Sequence, residues 1–372
     1  MGFIKKFLRN LSILIALVAT AIGLVGKHAP HLFMKLPMGF IPWAITGHFV
    51  PPYFDNTMWL DSGLREWVRD GDVVVAVGAK SGTTWMCYCA DAIRRKGVKE
   101  GNGLLPYRDI MYTTPWLEAS QKPGETWAER AAFYESHVFD DGSRLKDYWD
   151  NKAYPFRVFK SHFGPDSVAG DPYANVLPVL TYPKVKYVAM VRNGRDMARS
   201  WYFFVDRHRD EFRQEWGSFP PAYPSIDAAM ADLMPGGNCY GLYFPYVHAW
   251  WALKEAPNVL LMHYTDAVKG GAKTIKQLAD FYGVKLNKAE ADTVGEMCSK
   301  EHMTANEHVF DYRLPLNPGP GGQFMKSNSF INKVDPATAQ PSAATLEAWD
   351  AACVAEFPDV KMRTWAAHGG PF

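Results

Sequence analysis

The stretch from Val73 to Lys96 reads VVVAVGAKSGTTWMCYCADAIRRK and changes its pattern twice. Its first residues are nearly all valine, which predicts a buried β-strand over Val73–Val77. From Trp85 onward the apolar residues recur at helical spacing. The cations at Arg94–Lys96, followed by Gly97, are typical of the last turn and the end of a helix. The stretch therefore predicts a strand, a tight loop and a helix.

The loop between this strand and this helix carries an ammonium group, hydroxyl groups and a glycine. Its residues are Lys80, Ser81, Gly82, Thr83 and Thr84. Backbone N–H groups at a helix N-terminus, together with such side chains, can converge on a phosphate-like dianion. The loop alone does not distinguish ATP from a dinucleotide or another phosphorylated nucleotide.

The composition is that of an ordinary globular enzyme. The chain has 372 residues, 48% hydrophobic and 21% charged, which argues against global disorder. Its net charge of +1 provides no basic field for nucleic acid, so no nucleic-acid partner is expected. The 14% aromatic content is high and fits either a large aromatic core or a pocket for a flat, apolar small molecule.

The five cysteines do not form a metal-binding pattern. They are Cys87, Cys89, Cys239, Cys298 and Cys353. No pair has the CxxC spacing, and no cluster of cysteines and histidines has the spacing of metal ligands. The sequence therefore predicts buried or free thiols in a reducing compartment, and no metal site.

Residues 1–30 form a hydrophobic N-terminal segment. Lys5, Lys6 and Arg9 precede the uncharged run of residues 11–26. This pattern fits a membrane anchor, although the run is shorter than the roughly 20 residues that span a bilayer. It also fits a secretory signal peptide or a helix that packs on the protein. We expect membrane association through this run; a cytoplasmic protein and one in the lumen of the secretory pathway are the alternatives.

Three further strands are predicted downstream, over Phe156–Phe163, Lys184–Val191 and Asn258–His263, and a closing helical region over Leu346–Trp365. Strands that alternate with helices predict an α/β fold with a mostly parallel sheet flanked by helices on both faces. We expect residues 50–372 to form a single domain. In such sheets ligands bind at the carboxyl ends of the strands.

Polar residues lie at these predicted strand ends. Lys160 and His162 end the first of the three strands, and Arg192 ends the second. Ser200 follows Arg192 by eight residues, about two helical turns, so both can face the same edge. Tyr264 follows the last strand. A lone histidine or arginine is usually a packing or surface residue, but a group of them at one sheet edge indicates a binding site.

Four blocks, in chain order, resemble the cytosolic-type sulfotransferases that use 3′-phosphoadenosine 5′-phosphosulfate (PAPS). They are Lys80–Trp85 (KSGTTW), Lys160–His162 (KSH), Val191–Asp196 (VRNGRD) with Ser200, and Tyr264–Asp266 (YTD). The resemblance covers roughly Asp55 to Lys326. It implies a sulfotransferase fold similar to that of P-loop nucleoside triphosphate hydrolases, with PAPS as cofactor, PAP as product and no metal.

The resemblance also implies roles for these residues. The implied PAPS contacts are Lys80, Ser81, Gly82, Thr83, Thr84, Trp85, Arg192, Ser200, Tyr264 and Lys326. The loop holds the 5′-phosphosulfate, Trp85 and Tyr264 hold the adenine, and Arg192 with Ser200 holds the 3′-phosphate. His162 is the implied general base, and Lys80 and Lys160 neutralise charge on the transferring group. The acceptor is expected to be a hydroxyl or amine of an apolar or aromatic small molecule.

This chain departs from the family pattern at three places. Gly78-Ala79 precedes the loop lysine where the family has Y-P, and Gly194 replaces a proline. Near the C-terminus, Phe324-Met325-Lys326 stands where the family has R-K-G, so Lys326 supplies the one cation there. This change leaves open a non-catalytic PAP or PAPS binder. A P-loop kinase is a further alternative, although the loop lacks GxxxxGK[ST]. The sequence assigns no oligomeric state.

Overall fold

The computed structural model of the chain describes residues 67–101, 103–117, 127–165, 175–210, 222–310 and 339–372. The hydrophobic segment of residues 1–30, with its uncharged run at 11–26, lies outside this part of the chain. Lys326 lies outside it too.

The described residues form alternating strands and helices. The strands are β1 (Val73–Val77), β2 (Val158–Ser161), β3 (Gly164–Pro165), β4 (Asn175–Leu177), β5 (Lys186–Val191) and β6 (Val259–His263). The α-helices up to β6 are α1 (Thr83–Arg94), α2 (Ile110–Thr113), α3 (Trp127–Ser136), α4 (Lys146–Trp149), α5 (Gly194–Asp206), α6 (Ile226–Leu233) and α7 (Phe244–Ala252). Those after β6 are α8 (Tyr264–Gly270), α9 (Ala272–Tyr282), α10 (Lys288–Met297), α11 (Lys300–Ala305), α12 (Ala343–Glu356) and α13 (Val360–His368).

The four predicted strands form one parallel sheet within the described residues, in the order β2-β1-β5-β6. Val75 lies opposite Lys160 across the β1–β2 pair, and Val191 lies opposite His263 across the β5–β6 pair. Because all four strands run the same way, their carboxyl ends meet at one edge of the sheet. A separate two-stranded sheet pairs β3 with β4.

Strand β1 is buried on both faces. Successive side chains of a strand point to opposite faces, and every residue from Val73 to Val77 is at most 2% exposed. Both faces of the sheet are therefore covered, which is the usual setting of a parallel sheet. The predicted α/β fold, a mostly parallel sheet flanked by helices, is confirmed.

The last turn of α1 carries a cation, Arg94, as predicted. Arg94 and Arg95 are also buried, and both pair with Asp91. Arg94 also donates to the carbonyl of Thr113 at 3.0 Å. These arginines therefore tie α1 to the neighbouring loops. Only the tertiary structure buries them, because helical spacing does not show which loops will cover a helix end.

The predicted closing helical region, Leu346–Trp365, consists of two helices, α12 and α13. Helix α12 ends at Glu356, and Phe357 follows it outside the helix. Asp359 caps the start of α13, because its Oδ1 accepts from the backbone N–H of Lys361 at 2.8 Å. Among the residues that the structure describes, none of the helices is both long and apolar enough to cross a membrane.

Candidate active site

The loop between β1 and α1 turns tightly into the N-terminus of the helix. Lys80 and Gly82 both adopt positive φ angles, of 54° and 97°, and the N–H of Ser81 donates to the carbonyl of Gly78 at 3.0 Å. Within the described residues, α1 begins without a side-chain cap, and its first turn carries no acidic residue. The unpaired N–H groups and the dipole of a helix N-terminus attract an anion.

Neighbouring side chains crowd both glycines of this loop. A Cβ at Gly78 would lie 2.9 Å from the Tyr246 ring, and one at Gly82 would lie 2.9 Å from Met190 Cε. The Tyr246 hydroxyl donates to the carbonyl of Ala76 at 2.6 Å. Tyr246 therefore supports the loop from α7. The sequence showed it only as one of many aromatic residues.

Two lysines of the site lie against aromatic rings. Lys80 Nζ lies 3.7 Å from the ring centre of Phe204, and Lys160 Nζ lies 3.4 Å from that of Trp116. Lys160 is completely buried. Such contacts stabilise an ammonium group that has lost water. Sequence reasoning did not single out Trp116 or Phe204, and the high aromatic content was the one signal of them.

His162 is held in a defined orientation at the end of β2. Its Nδ1 lies 2.8 Å from the carbonyl oxygen of Val77, and its ring meets Trp116 edge-on at 5.4 Å. A carbonyl only accepts, so Nδ1 carries the proton of the neutral ring and Nε2 carries the lone pair. Burial, and then the charge of Lys160, lowers the pKa of His162 to about 3. His162 is therefore neutral at physiological pH, with the lone pair of Nε2 available.

The site concentrates positive charge around Lys80. Burial, and then the charges of Lys160, Arg192 and Arg207 in that order, lower the pKa of Lys80 to about 7. A bound anion would offset the repulsion that lowers the pKa of Lys80, and would so favour the charged form of this side chain. Arg207 is the residue that follows α5, and sequence reasoning did not single it out.

The ends of β5 and β6 meet beside the loop. The Arg192 guanidinium lies 4.8 Å from the ring centre of Tyr264, and its Nη1 donates to the carbonyl of Lys80 at 3.3 Å. Trp85 meets Tyr264 edge-on at 6.2 Å and donates from Nε1 to the carbonyl of Cys298 at 2.9 Å. A cation and two aromatic rings thus lie together at the edge of the sheet.

The structure brings most of the predicted site residues to this edge. Thr83 is buried in the first turn of α1, where Thr84 is half-buried. Ser200 is half-buried on α5. No group of three or more metal-ligating His, Cys, Asp or Glu side chains occurs among the residues that the structure describes.

The model of one protein family, described as "Sulfotransferase domain", matches residues 70–334 of the chain. The match covers well over half of the sequence and includes the loop, His162, Arg192 and Tyr264. The chain belongs to the sulfotransferase family. The expectation of an enzyme of the PAPS-dependent sulfotransferase family is confirmed.

Known sulfotransferases are similar to this one in sequence and fold. Sulfotransferase 2A6 of Mus musculus is 26% identical over 265 residues, which cover 69% of this chain and 76% of that protein. The crystal structure of mouse sulfotransferase SULT7A1 complexed with PAP matches with a TM-score of 0.51 and 17% identity, covering 84% of this chain and 93% of that one.

The crystal structure of retinol dehydratase in complex with androsterone and inactive cofactor PAP is a second structural relative. Its TM-score is also 0.51, and its sequence identity is 17%. The match covers 82% of this sulfotransferase and 86% of the other chain. At these identities the likeness shows the shared fold, and the predicted sulfotransferase fold is confirmed.

Proposed function

We propose that this sulfotransferase transfers the sulfuryl group of PAPS to a hydroxyl or amine of an apolar or aromatic small molecule, with His162 as general base. The observation that carries the proposal is the arrangement of His162, Lys80 and Lys160. A neutral imidazole, oriented by the Val77 carbonyl, lies in one site with two ammonium groups. Such a site can remove a proton from an acceptor and stabilise negative charge on a leaving group.

The loop and the neighbouring strand ends divide the nucleotide between them in this proposal. The N–H groups and hydroxyls of residues 81–84 bind the 5′-phosphate at the start of α1. Arg192, with Ser200 and Lys326, binds the 3′-phosphate, because a planar guanidinium can donate two parallel hydrogen bonds to phosphate. Trp85 and Tyr264 bind the adenine. The PAP-bound relatives of the same fold support this division.

When bound, PAPS supplies an activated sulfuryl group for in-line displacement. His162 Nε2 accepts the proton of the acceptor hydroxyl while Nδ1 keeps its bond to Val77. Lys80 stabilises the charge that develops on the bridging oxygen, and Lys160 stabilises the oxygens of the transferring group. The hydrogen bond of His162 with Val77 and the ring contacts of the two lysines support these roles.

Trp116 and Phe204 support an apolar acceptor. Each ring lies on one of the two lysines, so each borders the place where sulfuryl transfer would occur. Aromatic side chains bind flat apolar molecules well because they bury large areas at little conformational cost. The structural relative retinol dehydratase is in complex with androsterone, a steroid and therefore a largely apolar polycyclic molecule. We therefore place a steroid-like or aromatic alcohol first among acceptors.

A transfer assay with labelled PAPS tests this function. The wild type should label at least one acceptor of a panel of phenols, steroid alcohols, aliphatic alcohols and amines. His162→Ala should lose at least about 100-fold in kcat and still bind PAP. His248→Ala is the matched control, since His248 is an exposed histidine on α7 and should leave the rate unchanged.

Three outcomes would contradict parts of the proposal. Full activity of His162→Ala would show that another group is the base. PAP binding without turnover on any acceptor would favour a non-catalytic binder, the alternative raised by the altered segment around Lys326. Magnesium-dependent ATP turnover without PAP binding would favour a kinase.

We further propose that residues 11–26 associate with a membrane and that a single catalytic domain over residues 50–372 follows them. The uncharged run and its basic flank support this. The full chain should sediment with membranes and resist carbonate extraction, whereas a chain that starts at residue 30 should stay in the supernatant. Equal distribution of the two chains would reject the anchor.

A further inference from the structure

The last turn of α13 directs two carbonyl groups at the strand ends that border the nucleotide site. The carbonyl of Ala366 accepts from His263 Nε2 at 3.3 Å, and that of Ala367 accepts from Asn193 Nδ2 at 2.8 Å. Carbonyls in the last turn of a helix have no partner within the helix. Here side chains from the ends of β5 and β6 satisfy two consecutive ones.

Both side chains are fixed by a second set of bonds. The Asn193 Oδ1 accepts from the backbone N–H groups of Arg195 and Asp196, at 3.0 and 3.2 Å, and so caps α5. The His263 Nδ1 accepts from the N–H of Thr265 at 3.3 Å. Nδ1 is therefore the acceptor of the ring and Nε2 its donor. Neither side chain can leave its carbonyl partner without also disturbing the start of the helix that follows it.

The neighbours of these two residues are the proposed nucleotide contacts. Arg192 immediately precedes Asn193, and Tyr264 immediately follows His263. The two strands are paired up to this point, and the Arg192 guanidinium lies over the Tyr264 ring at 4.8 Å. A shift of either strand end would therefore displace one member of this pair relative to the other.

The tail beyond α13 closes on the same corner. A Cβ at Gly369 would lie 2.4 Å from Asp266 Oδ2 and 2.7 Å from His263 Nδ1, so the backbone approaches both side chains closely. The N–H of Gly370 donates to Asp266 Oδ2 at 2.6 Å. Phe372 packs 5.6 Å from Trp251.

We propose that the last turn of α13 and the Gly369 tail form a clamp that positions Arg192 and Tyr264 for the nucleotide, with Asn193 and His263 as positioning residues. The clamp lies beyond residues 70–334, the part that matches the sulfotransferase domain. A C-terminal element outside that match thus completes the nucleotide site. This inference rests on the proposed binding of the nucleotide by Arg192 and Tyr264.

Gly369 and Gly142 provide a matched test. Both have positive φ, of 75° and 79°, so an alanine strains the backbone at either position. At Gly142, which lies outside the clamp, no described atom is within 4 Å of the added Cβ, whereas at Gly369 the Cβ would push on His263 and Asp266. Gly369→Ala should raise the Kd for PAP by calorimetry, and the KM for PAPS, about fivefold over Gly142→Ala. The kcat should stay within about twofold, because Lys80 and His162 do not move.

Side-chain variants test the two positioning residues. Asn193→Ser keeps a hydroxyl that can cap α5 but is too short to reach the Ala367 carbonyl. His263→Phe keeps the ring and loses both of its hydrogen bonds. Each should weaken PAP binding by a similar factor and leave the KM for the acceptor unchanged. Asp350→Asn is the control, since it removes only the ion pair of Asp350 with Arg195 between α12 and α5.

Arg192→Ala separates failure of the clamp from failure of the site. If Arg192→Ala weakens PAP binding while Gly369→Ala binds PAP as Gly142→Ala does, the clamp is wrong and the nucleotide site stands. If Arg192→Ala leaves the Kd for PAP unchanged, the site assignment is wrong and the clamp falls with it. Should Gly369→Ala fail to fold, Asn193→Ser and His263→Phe decide: wild-type PAP binding in both overturns the clamp.

Discussion

At the scale of single residues, Lys80 shows most clearly how a side chain proposed to act in catalysis can lower the stability of the fold. Its ammonium lies over Phe204 and shares the site with Lys160, Arg192 and Arg207. The pKa of Lys80 falls from the ordinary 10.5 to about 7, so the unfolded chain holds this proton more tightly than the folded one does. The charge therefore destabilises the fold fully below pH 7, and this penalty disappears as the pH rises from 7 through 10.5.

Lys80→Met should consequently stabilise the protein while it removes activity. At pH 6 without nucleotide, we expect the midpoint of thermal unfolding to rise by several degrees, because a buried charge and its repulsions are lost. Sulfuryl transfer should become undetectable. Lys288→Met, which removes an exposed lysine paired with Asp292, serves as the control and should change the midpoint little. A lower midpoint in Lys80→Met would contradict the charge argument.

His162 and Lys80 together predict an unusual pH dependence of the rate. The pKa of His162 is about 3, so the rate should not fall through pH 6.5, where a histidine base normally becomes protonated. The kcat/KM for PAPS should fall above pH 7, because the free enzyme loses the Lys80 proton there. The kcat should stay level to higher pH, since bound anion restores that pKa. Initial rates from pH 5 to 9 measure both.

Lys80→Arg provides the check on this assignment. A guanidinium keeps its charge throughout this range, so the descending limb of kcat/KM should vanish even if the overall rate is lower. An unchanged limb would assign the ionisation to another group.

At the scale of elements, α1 is anchored by a buried ionic cluster. Asp91 pairs with Arg94 and Arg95, each at 2.7 Å, and all three side chains are nearly inaccessible. Asp91→Ala would leave two buried guanidinium groups unpaired, and we expect a loss of about 3–5 kcal/mol in the free energy of unfolding. Asp292→Ala, in an exposed ion pair, should change it by less than about 0.5 kcal/mol. Denaturant titration of both variants measures the difference.

The start of α5 explains why glycine replaces the proline of the family pattern. A Cβ at Gly194 would lie 2.5 Å from Trp349 on α12 and 2.6 Å from Tyr243. Helix α12 therefore packs directly against the backbone of α5. Any side chain here, proline included, would have to displace two aromatic rings.

Two glycine-to-alanine variants measure this packing. Gly194→Ala should destabilise the protein by about 1–3 kcal/mol through overpacking. Gly295 lies inside α10, and no described atom lies within 4 Å of its added Cβ. Gly295→Ala should therefore stabilise by about 0.5–1 kcal/mol, since alanine favours a helix. Stabilisation by Gly194→Ala as well would mean that α12 does not pack against Gly194.

At the scale of the whole molecule, the concentration of cations at the sheet edge predicts stabilisation by nucleotide. PAP at about 100 times its Kd should raise the free energy of unfolding by about 2.7 kcal/mol. AMP, which lacks the 3′-phosphate, should raise the free energy of unfolding less than PAP does at equal concentration. In Arg192→Ala, the difference between the stabilisation by PAP and that by AMP should be smaller. Thermal unfolding with and without each nucleotide, at low and at high salt, measures this stabilisation. The stabilisation should be smaller at high salt, because salt screens the charges. Equal shifts for PAP and AMP in the wild type would contradict a 3′-phosphate site at Arg192.

The sequence by itself determined the central sheet and the chemical character of the site. A run such as Val73–Val77 has few alternatives to a buried strand, because valine favours strands and its burial is the main driving force. A parallel arrangement then brings all the strand ends to one edge. Thus Lys80, His162, Arg192 and Tyr264 could be grouped before any contact was known.

Only the tertiary structure decided which distant residues complete that edge. Trp116, Phe204 and Tyr246 come from separate segments, and nothing local in the sequence sets them apart from the other aromatic residues of the core. The contacts of Asn193 and His263 with α13 join positions more than a hundred residues apart. Local patterns reveal which residues can bind an anion, but the packing of the whole chain fixes which partners orient them, because those contacts form only when the distant helices dock.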